Sequence, residues 1–139
     1  MFEVCVSFHV PSLLTCVQMT ACEQGRMHQV DYLVSRHDPD LHEHLCDLGI
    51  DPTFYTLRWI TTLLSREFDL PDVLRLWDAL LSEKGTRNRE RWLAYFCTSM
   101  VVHIRDTLLS CDFGDAIHVL QVPFLKQKRI EGSSPFVEN

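Results

Sequence analysis

Apolar residues recur three and four positions apart along much of the chain, and this spacing predicts helices. The first stripe follows Asp38-Pro39, where Asp38 can cap a helix, Pro39 fits its first position, and Gly49 then ends it. The second stripe follows the similar start Asp51-Pro52 and runs to Phe68. The first stripe consists of Leu41, Leu45 and Leu48, and the second of Leu57, Ile60, Leu63, Leu64 and Phe68.

Three more helices are predicted after the corner Asp69-Leu70-Pro71-Asp72. A polar segment at 82–89 holds a glycine and is typical of a loop. It separates a stripe of Leu70, Val73, Leu74, Trp77, Leu80 and Leu81 from one of Leu93, Phe96, Cys97, Met100, Val101, Ile104 and Leu108. The second of these predicts a helix of about 20 residues, roughly 30 Å long. A short helix over 113–121 completes an all-α fold of about five helices, without a sheet of three or more strands.

The two ends of the chain lack this pattern. Residues 1–37 have no clean period: Val4 to Val10 alternate briefly, a weak strand signal, and the rest is interpreted as one irregular helix or coil. Residues 122–139 have the composition of a loose tail. We therefore divide the chain into a divergent N-terminal segment (1–37), a helical domain (38–121) and a flexible tail (122–139).

Composition narrows the class of protein. The chain has 139 residues, of which 46% are hydrophobic, as expected of one globular domain, and its net charge of -6 gives no reason to expect nucleic-acid binding. None of its six cysteines forms a C-x-x-C pair, which favours a reduced, intracellular chain. The N-terminus lacks the basic start of a secretory signal, and no stretch reaches the roughly 18 apolar residues that span a bilayer.

Two polar clusters are candidates for chemistry. His42 and Cys46 are four residues apart and could ligate one metal ion, but no second ligand pair has matching spacing, so a solvated or capping histidine cluster is the preferred interpretation. We predict no metal site and no cofactor. A basic run could contact a lipid headgroup or a GTPase, although an exposed interhelical loop is the simpler interpretation. This run consists of Lys84, Arg87, Arg89 and Arg91.

The order of residues around the corner is more specific than any stripe: R-W at 58–59, E-F at 67–68 and L-P-D-V-x-R-x-W-D at 70–78. With D-P-D-L-H-E-H-L at 38–45, H-I-R-D-x-L-L at 103–109 and D-F-x-x-A-I-x-x-L-Q at 112–121, it resembles the C-terminal half of the TBC domain of Rab GTPase-activating proteins. The resemblance implies the helical C-terminal lobe of a V-shaped domain and a Rab-family GTPase as partner. Its motif residues are Arg58, Trp59, Glu67, Phe68, Pro71, Asp72, Arg75, Trp77 and Asp78.

The resemblance also implies which catalytic groups to look for. The family uses an arginine finger in I-x-x-D-x-x-R, which neutralises charge on the transferred phosphoryl group, and a glutamine finger in Y-x-Q-G-M. The 139 residues contain no I-x-x-D-x-x-R, and Glu23-Gln24-Gly25-Arg26-Met27 matches the glutamine motif only in part. An exposed polar residue is the preferred interpretation of Gln24, and no catalytic residue is predicted. Unmatched sequence on both sides of the motifs suggests a truncated or alternatively spliced product.

The expected function follows from the resemblance: regulation of Rab GTP hydrolysis in vesicle trafficking, in the cytoplasm or at membranes through a Rab, by a chain that is inactive alone. The alternative is a non-catalytic interaction module or a non-functional truncated isoform. A lobe without its partner lobe should expose apolar residues, so we expect self-association or partner-dependent folding. The charged motif residues could contact a Rab, but ion pairs that pin two helices are favoured, because a charge near a core is costly unless paired. These charged residues are Arg58, Glu67, Arg75 and Asp78, with Arg58 expected to pair with Glu67 or Asp78, and Trp59 and Trp77 expected to anchor the core.

Overall fold

The computed structural model describes residues 21–123, and this part of the chain consists of helices joined by short turns. No strand occurs within it, and the predicted all-α fold is confirmed. Its seven helices, two more than the sequence pattern indicates, are α1 (Ala21–His37), α2 (Pro39–Asp47), α3 (Thr53–Thr61), α4 (Leu70–Ser82), α5 (Thr86–His103), α6 (Arg105–Ser110) and α7 (Phe113–Gln121).

The first additional helix is α1, a regular helix of 17 residues in a segment interpreted from sequence as irregular helix or coil. It packs against α2, α3 and α5 and buries four apolar side chains in the common core: Met27, Val30, Leu33 and Val34. Their spacing is helical, but the rest of α1 is polar or small, so its stripe is narrow and short. The weak strand signal at Val4 to Val10 and the tail from 124 onward lie outside the described residues.

The start and stop signals of α2 act as the sequence predicts. The Asp38 carboxylate accepts a hydrogen bond of 3.1 Å from the backbone amide three residues later, and a proline follows the cap. At the other end Gly49 has φ of 73°, and its amide donates to the Cys46 carbonyl. The Ile50 amide donates to the Leu45 carbonyl at 2.9 Å, which completes a Schellman motif.

The second additional helix arises from a break in the long helix predicted near the C-terminus. α5 begins directly after Gly85, which has φ of 86°, so the predicted loop at 82–89 is helical from Thr86 onward. At Ile104 the backbone amide bonds the Val101 carbonyl, three residues back, and the chain continues as α6. The apolar stripe continues through this turn, which is why the sequence pattern alone does not show the break.

The helices are arranged around α1, α3 and α5. α7 packs on α3, α6 packs on α2, and α4 packs on α5. The largest fully buried side chains come from several of these elements, among them Trp59, Leu41, Leu64, Leu108 and Leu120. The corner between α3 and α4 therefore lies beside the core, with the end of α7 close to it.

Candidate functional site

The corner between α3 and α4, which spans residues 62–69, is held by an ion pair. The Arg58 Nε donates to Glu67 Oε1 at 2.7 Å, so the predicted pairing of Arg58 with an acidic residue of the corner is confirmed. The Glu67 side chain is 1% exposed and the Arg58 side chain 29% exposed, so the carboxylate is buried and the guanidinium reaches the surface. Arg58 Nη1 also donates to the backbone carbonyl of Gln121. One guanidinium thus connects α3, the corner and the end of α7.

The backbone of the corner adopts an uncommon conformation. Leu63 and Leu64 have φ of 48° and 63°, in the left-handed region that normally favours glycine. The Leu64 amide donates to the Trp59 carbonyl at 2.9 Å, the bond that closes a Schellman motif, but with leucine where glycine is usual. Left-handed backbone costs roughly 1–2 kcal/mol per residue. Complete burial of the Leu64 side chain offsets this cost.

The aromatic motif residues anchor the corner to the core. Trp59 is 2% exposed and meets the Tyr55 ring edge-on at 5.3 Å between centroids. Trp77 is half-buried and packs against the core, and its Nε1 donates to the Leu63 carbonyl at 2.9 Å. Phe68 meets Phe96 of α5 at 6.0 Å in another edge-on contact. These contacts agree with the expected anchoring role of the two tryptophans.

Four further motif residues lie on the surface instead of pinning two helices. Pro71 occupies the first turn of α4. Arg75 pairs at 3.6 Å with Asp72, one turn earlier in the same helix, and both are largely exposed. Asp78 is exposed on the same helix. Of the expected ion pairs, that of Arg58 with Glu67 forms between α3 and the corner, whereas Arg75 pairs with a residue of its own helix.

Part of the apolar stripe of α4 is also exposed. Val73, Leu76 and Leu80 are buried. Three other leucines, which we call the leucine face, remain exposed by 69%, 52% and 55%: Leu70, Leu74 and Leu81. The predicted stripe contains five of these six residues, with Trp77 in place of Leu76, so it does not distinguish the core side of α4 from this second side.

Gln24, the weak candidate for a glutamine finger, lies exposed in the first turns of α1. Two residues on, the guanidinium of Arg26 pairs with Glu90 of α5 at 2.9 Å. Another pair, which the sequence analysis missed, joins Arg105 to Asp38 at 2.6 Å. Both pairs connect residues more than 60 positions apart, so local spacing carries no signal for them.

The histidine and cysteine of α2 lie beside an open groove of about 320 Å³. His42 Nε2 is 3.1 Å from the Asp31 carboxylate, and the Cys46 sulfur is 3.8 Å from the His42 ring nitrogens. Burial, with the negative charges of Asp31 and Asp47, raises the pKa of the Cys46 thiol, so the groove does not activate it as a nucleophile. Among residues 24–123, no group of three or more histidine, cysteine or acidic side chains is placed to hold a metal ion.

The basic run straddles the start of α5. Lys84, Arg87 and Arg91 are exposed and Arg89 is half-buried. The exposed members agree with the simpler interpretation as a solvated surface, although the segment is partly helical rather than a loop.

Cys46, Cys97 and Cys111 are free thiols. In the part of the chain that the structure describes, no helix combines the length and apolar character needed to cross a bilayer.

Comparisons with known proteins give the family to which this helical unit belongs. The chain belongs to the Rab-GTPase-TBC domain family, whose model matches residues 7–109. The match begins well before Asp38 and includes α1.

Relatives and a solved structure agree with this assignment. A TBC domain-containing protein of Schizosaccharomyces pombe (C1952.17c) is 35% identical over 70% of this chain and 19% of its own length. Mouse TBC1 domain family member 13 is 38% identical over 69% of the chain and 23% of its own length. The crystal structure of the Ypt/Rab-GAP domain of Gyp1p superposes with a TM-score of 0.67 and 31% identity, over 73% of this chain and 31% of that one. The chain thus spans less than a third of each protein compared.

Proposed function

We propose that this chain takes part in regulating GTP hydrolysis by a Rab-family GTPase in vesicle trafficking, as the C-terminal lobe of a TBC domain. We further propose that its 139 residues bind a Rab without supplying the catalytic fingers. The family assignment supports the first part, because the matching structure is that of a Ypt/Rab-GAP domain. The second part rests on the contacts that the arginine side chains make.

The observation that carries the proposal is the position of Arg58. An arginine finger must extend toward the phosphates of the bound nucleotide. The Arg58 guanidinium is instead bound to the buried Glu67 carboxylate and to the Gln121 carbonyl. Moving it away would break the ion pair of a carboxylate that is 1% exposed, which is costly. Arg26 and Arg105 are also held in ion pairs, so these arginines stabilise the fold.

The remaining parts of the proposal concern location and domain limits. A Rab is itself attached to a membrane, so we propose that this protein acts in the cytoplasm and reaches membranes through its Rab. Residues 38–121 carry the motifs of the lobe, and 1–37 and 122–139 flank it. α1 packs into the same core, so we propose that Ala21–His37 folds together with the lobe.

A second candidate function is a non-catalytic module that binds another protein. Exposed apolar residues on several helices favour it, because large apolar side chains on a surface often mark an interface. The most exposed examples outside α4 are Tyr32, Phe54, Tyr95 and Phe113. The same residues favour dependence on a partner for folding. A non-functional truncated isoform would show none of these interactions.

A measurement of binding to Rabs distinguishes the two candidate functions. The purified chain is titrated against a panel of Rabs loaded with a non-hydrolysable GTP analogue, with the GDP-loaded forms as controls. Preferential binding to the GTP form of at least one Rab, without faster hydrolysis, is the result expected from the proposal. Absence of binding across the panel would contradict it and favour the second candidate.

A further inference from the structure

The leucine face of α4 is a compact apolar surface beside a set of charges. At about 100° per residue, Leu70, Leu74 and Leu81 lie within about 40° of one another around the helix. Asp78 lies about 40° and Arg75 about 100° from Leu74 in the same sense of rotation. The three leucines are each more than half exposed, and the buried side of α4 points elsewhere. The free protein therefore presents an apolar strip with charges along one edge.

We propose that the leucine face joins a second copy of this chain, with the two α4 helices antiparallel about a two-fold axis at the level midway between Leu70 and Leu81. This arrangement places Leu70 against Leu81 of the second copy, and by symmetry the same contact forms twice. Leu74 then lies against the turn of the second helix that holds Trp77 and Asp78. The apolar strip of each copy is then covered along its whole length by the α4 helix of the other copy.

The charges along the edge select this antiparallel arrangement. A two-fold axis perpendicular to both helices brings the charged edges of the two copies to the same side. The long Arg75 side chain of one copy, extended across this edge, then reaches Asp78 of the other, and the pair forms twice. A parallel pair, related by a two-fold axis along the helices, would place the two charged edges on opposite sides, so Arg75 and Asp78 of the two copies would not meet. In the single chain Arg75 is 83% exposed, and its guanidinium lies 3.6 Å from the Asp72 carboxylate. An exposed ion pair of this kind is weak, so Arg75 can exchange it for a new partner.

This pattern fits a second copy better than an unrelated partner, because both the leucines and the charges are complementary to their own two-fold image. The interface is small. Three partly exposed leucines and two charges per copy fall below the roughly 800 Å² per partner of a standard interface. Trp77, fixed by its bond to Leu63, borders the strip and adds limited area. We therefore expect a weak dimer, with a dissociation constant of roughly 10 μM to 1 mM.

The inference concerns association only and does not depend on Rab binding. Sedimentation equilibrium of the full chain, over a wide concentration range, tests it. The wild type should fit a monomer–dimer equilibrium. Leu74→Glu should raise the dissociation constant at least about tenfold, because symmetry makes the substitution count twice. Phe113→Glu, at another exposed apolar residue, is the matched control and should leave the constant unchanged.

A charge exchange tests the antiparallel register. Arg75→Asp and Asp78→Arg should each weaken the dimer, and the double variant should restore it to within about threefold of the wild type, because the pairs form again with reversed sign. All these positions are exposed, and circular dichroism confirms that each variant stays folded. A wild type that remains monomeric, or assembles without limit, would overturn the proposal. So would equal effects of Leu74→Glu and Phe113→Glu, or a double variant as weak as the single ones.

Discussion

Replacing Arg58 by alanine is the most informative perturbation of the corner. The change removes the guanidinium that lies 2.7 Å from the Glu67 carboxylate, a side chain that is 1% exposed. It also removes the donor that reaches the Gln121 carbonyl at the end of α7. The substitution therefore loosens the connection between α3, the corner and α7, and takes the Arg58 charge away from a buried carboxylate.

The expected loss follows from the burial of the two groups. Removing one partner of a buried ion pair typically costs about 3–5 kcal/mol. The Arg58 side chain is 29% exposed, so water can enter the space that the alanine leaves. We therefore expect a loss near the low end, about 3 kcal/mol of unfolding free energy. Against a total of about 5–15 kcal/mol for a typical domain, this is a large share.

Urea unfolding followed by circular dichroism measures this loss, with Arg75→Ala as the matched control. Arg75 is 83% exposed and its pair lies within one helix, so its removal should change the unfolding free energy by less than about 0.5 kcal/mol. Adding Glu67→Gln to Arg58→Ala should recover part of the stability, because the buried side chain then carries no charge and no longer needs the lost guanidinium. A cost below about 1 kcal/mol for Arg58→Ala, or no recovery in the double variant, would refute this account of the corner.

Three further predictions concern other contacts. Asp38→Ala should destabilise the chain by about 2 kcal/mol in the same unfolding assay, since it removes both the cap of α2 and the partner of Arg105. Trp77→Phe keeps an aromatic ring but loses one hydrogen bond to the corner backbone, so a loss of about 1 kcal/mol is expected. In thiol labelling of the native chain at pH 8, Cys97 should not react, because burial hides it and raises its pKa to about 12. Cys46 should react. Its labelling rate should continue to rise above pH 9.0, the ordinary pKa of a thiol, because the pKa of Cys46 is raised and the fraction of reactive thiolate is still increasing there.

The sequence predicts the parts of the fold that local signals control. Asp38 and Gly49 act at the two ends of α2 as their residue types suggest, because a cap and a left-handed turn involve only neighbouring residues. The ion pair of Arg58 with Glu67 is also predictable, since a charge inside an apolar stripe needs a partner and few acidic residues are within reach.

The features that escape prediction depend on contacts between distant elements. α1 carries few apolar residues, and its packing against α5 is what makes it part of the core. The exposure of Leu70 and Leu74 depends on which side of α4 meets α5, which the stripe does not specify. The left-handed leucines of the corner have no sequence signal, because their residue type argues against that backbone conformation.

The central claim is that this chain carries a TBC lobe without its catalytic fingers. The most direct test is single-turnover hydrolysis of GTP preloaded on each member of a Rab panel, with and without an excess of the chain. We predict that the rate constant stays within about twofold of the intrinsic value, since no arginine in the required motif is present to stabilise the charge on the transferred phosphoryl group. A stimulation of about a hundredfold or more, abolished by Gln24→Ala, would contradict the account and make Gln24 a catalytic residue.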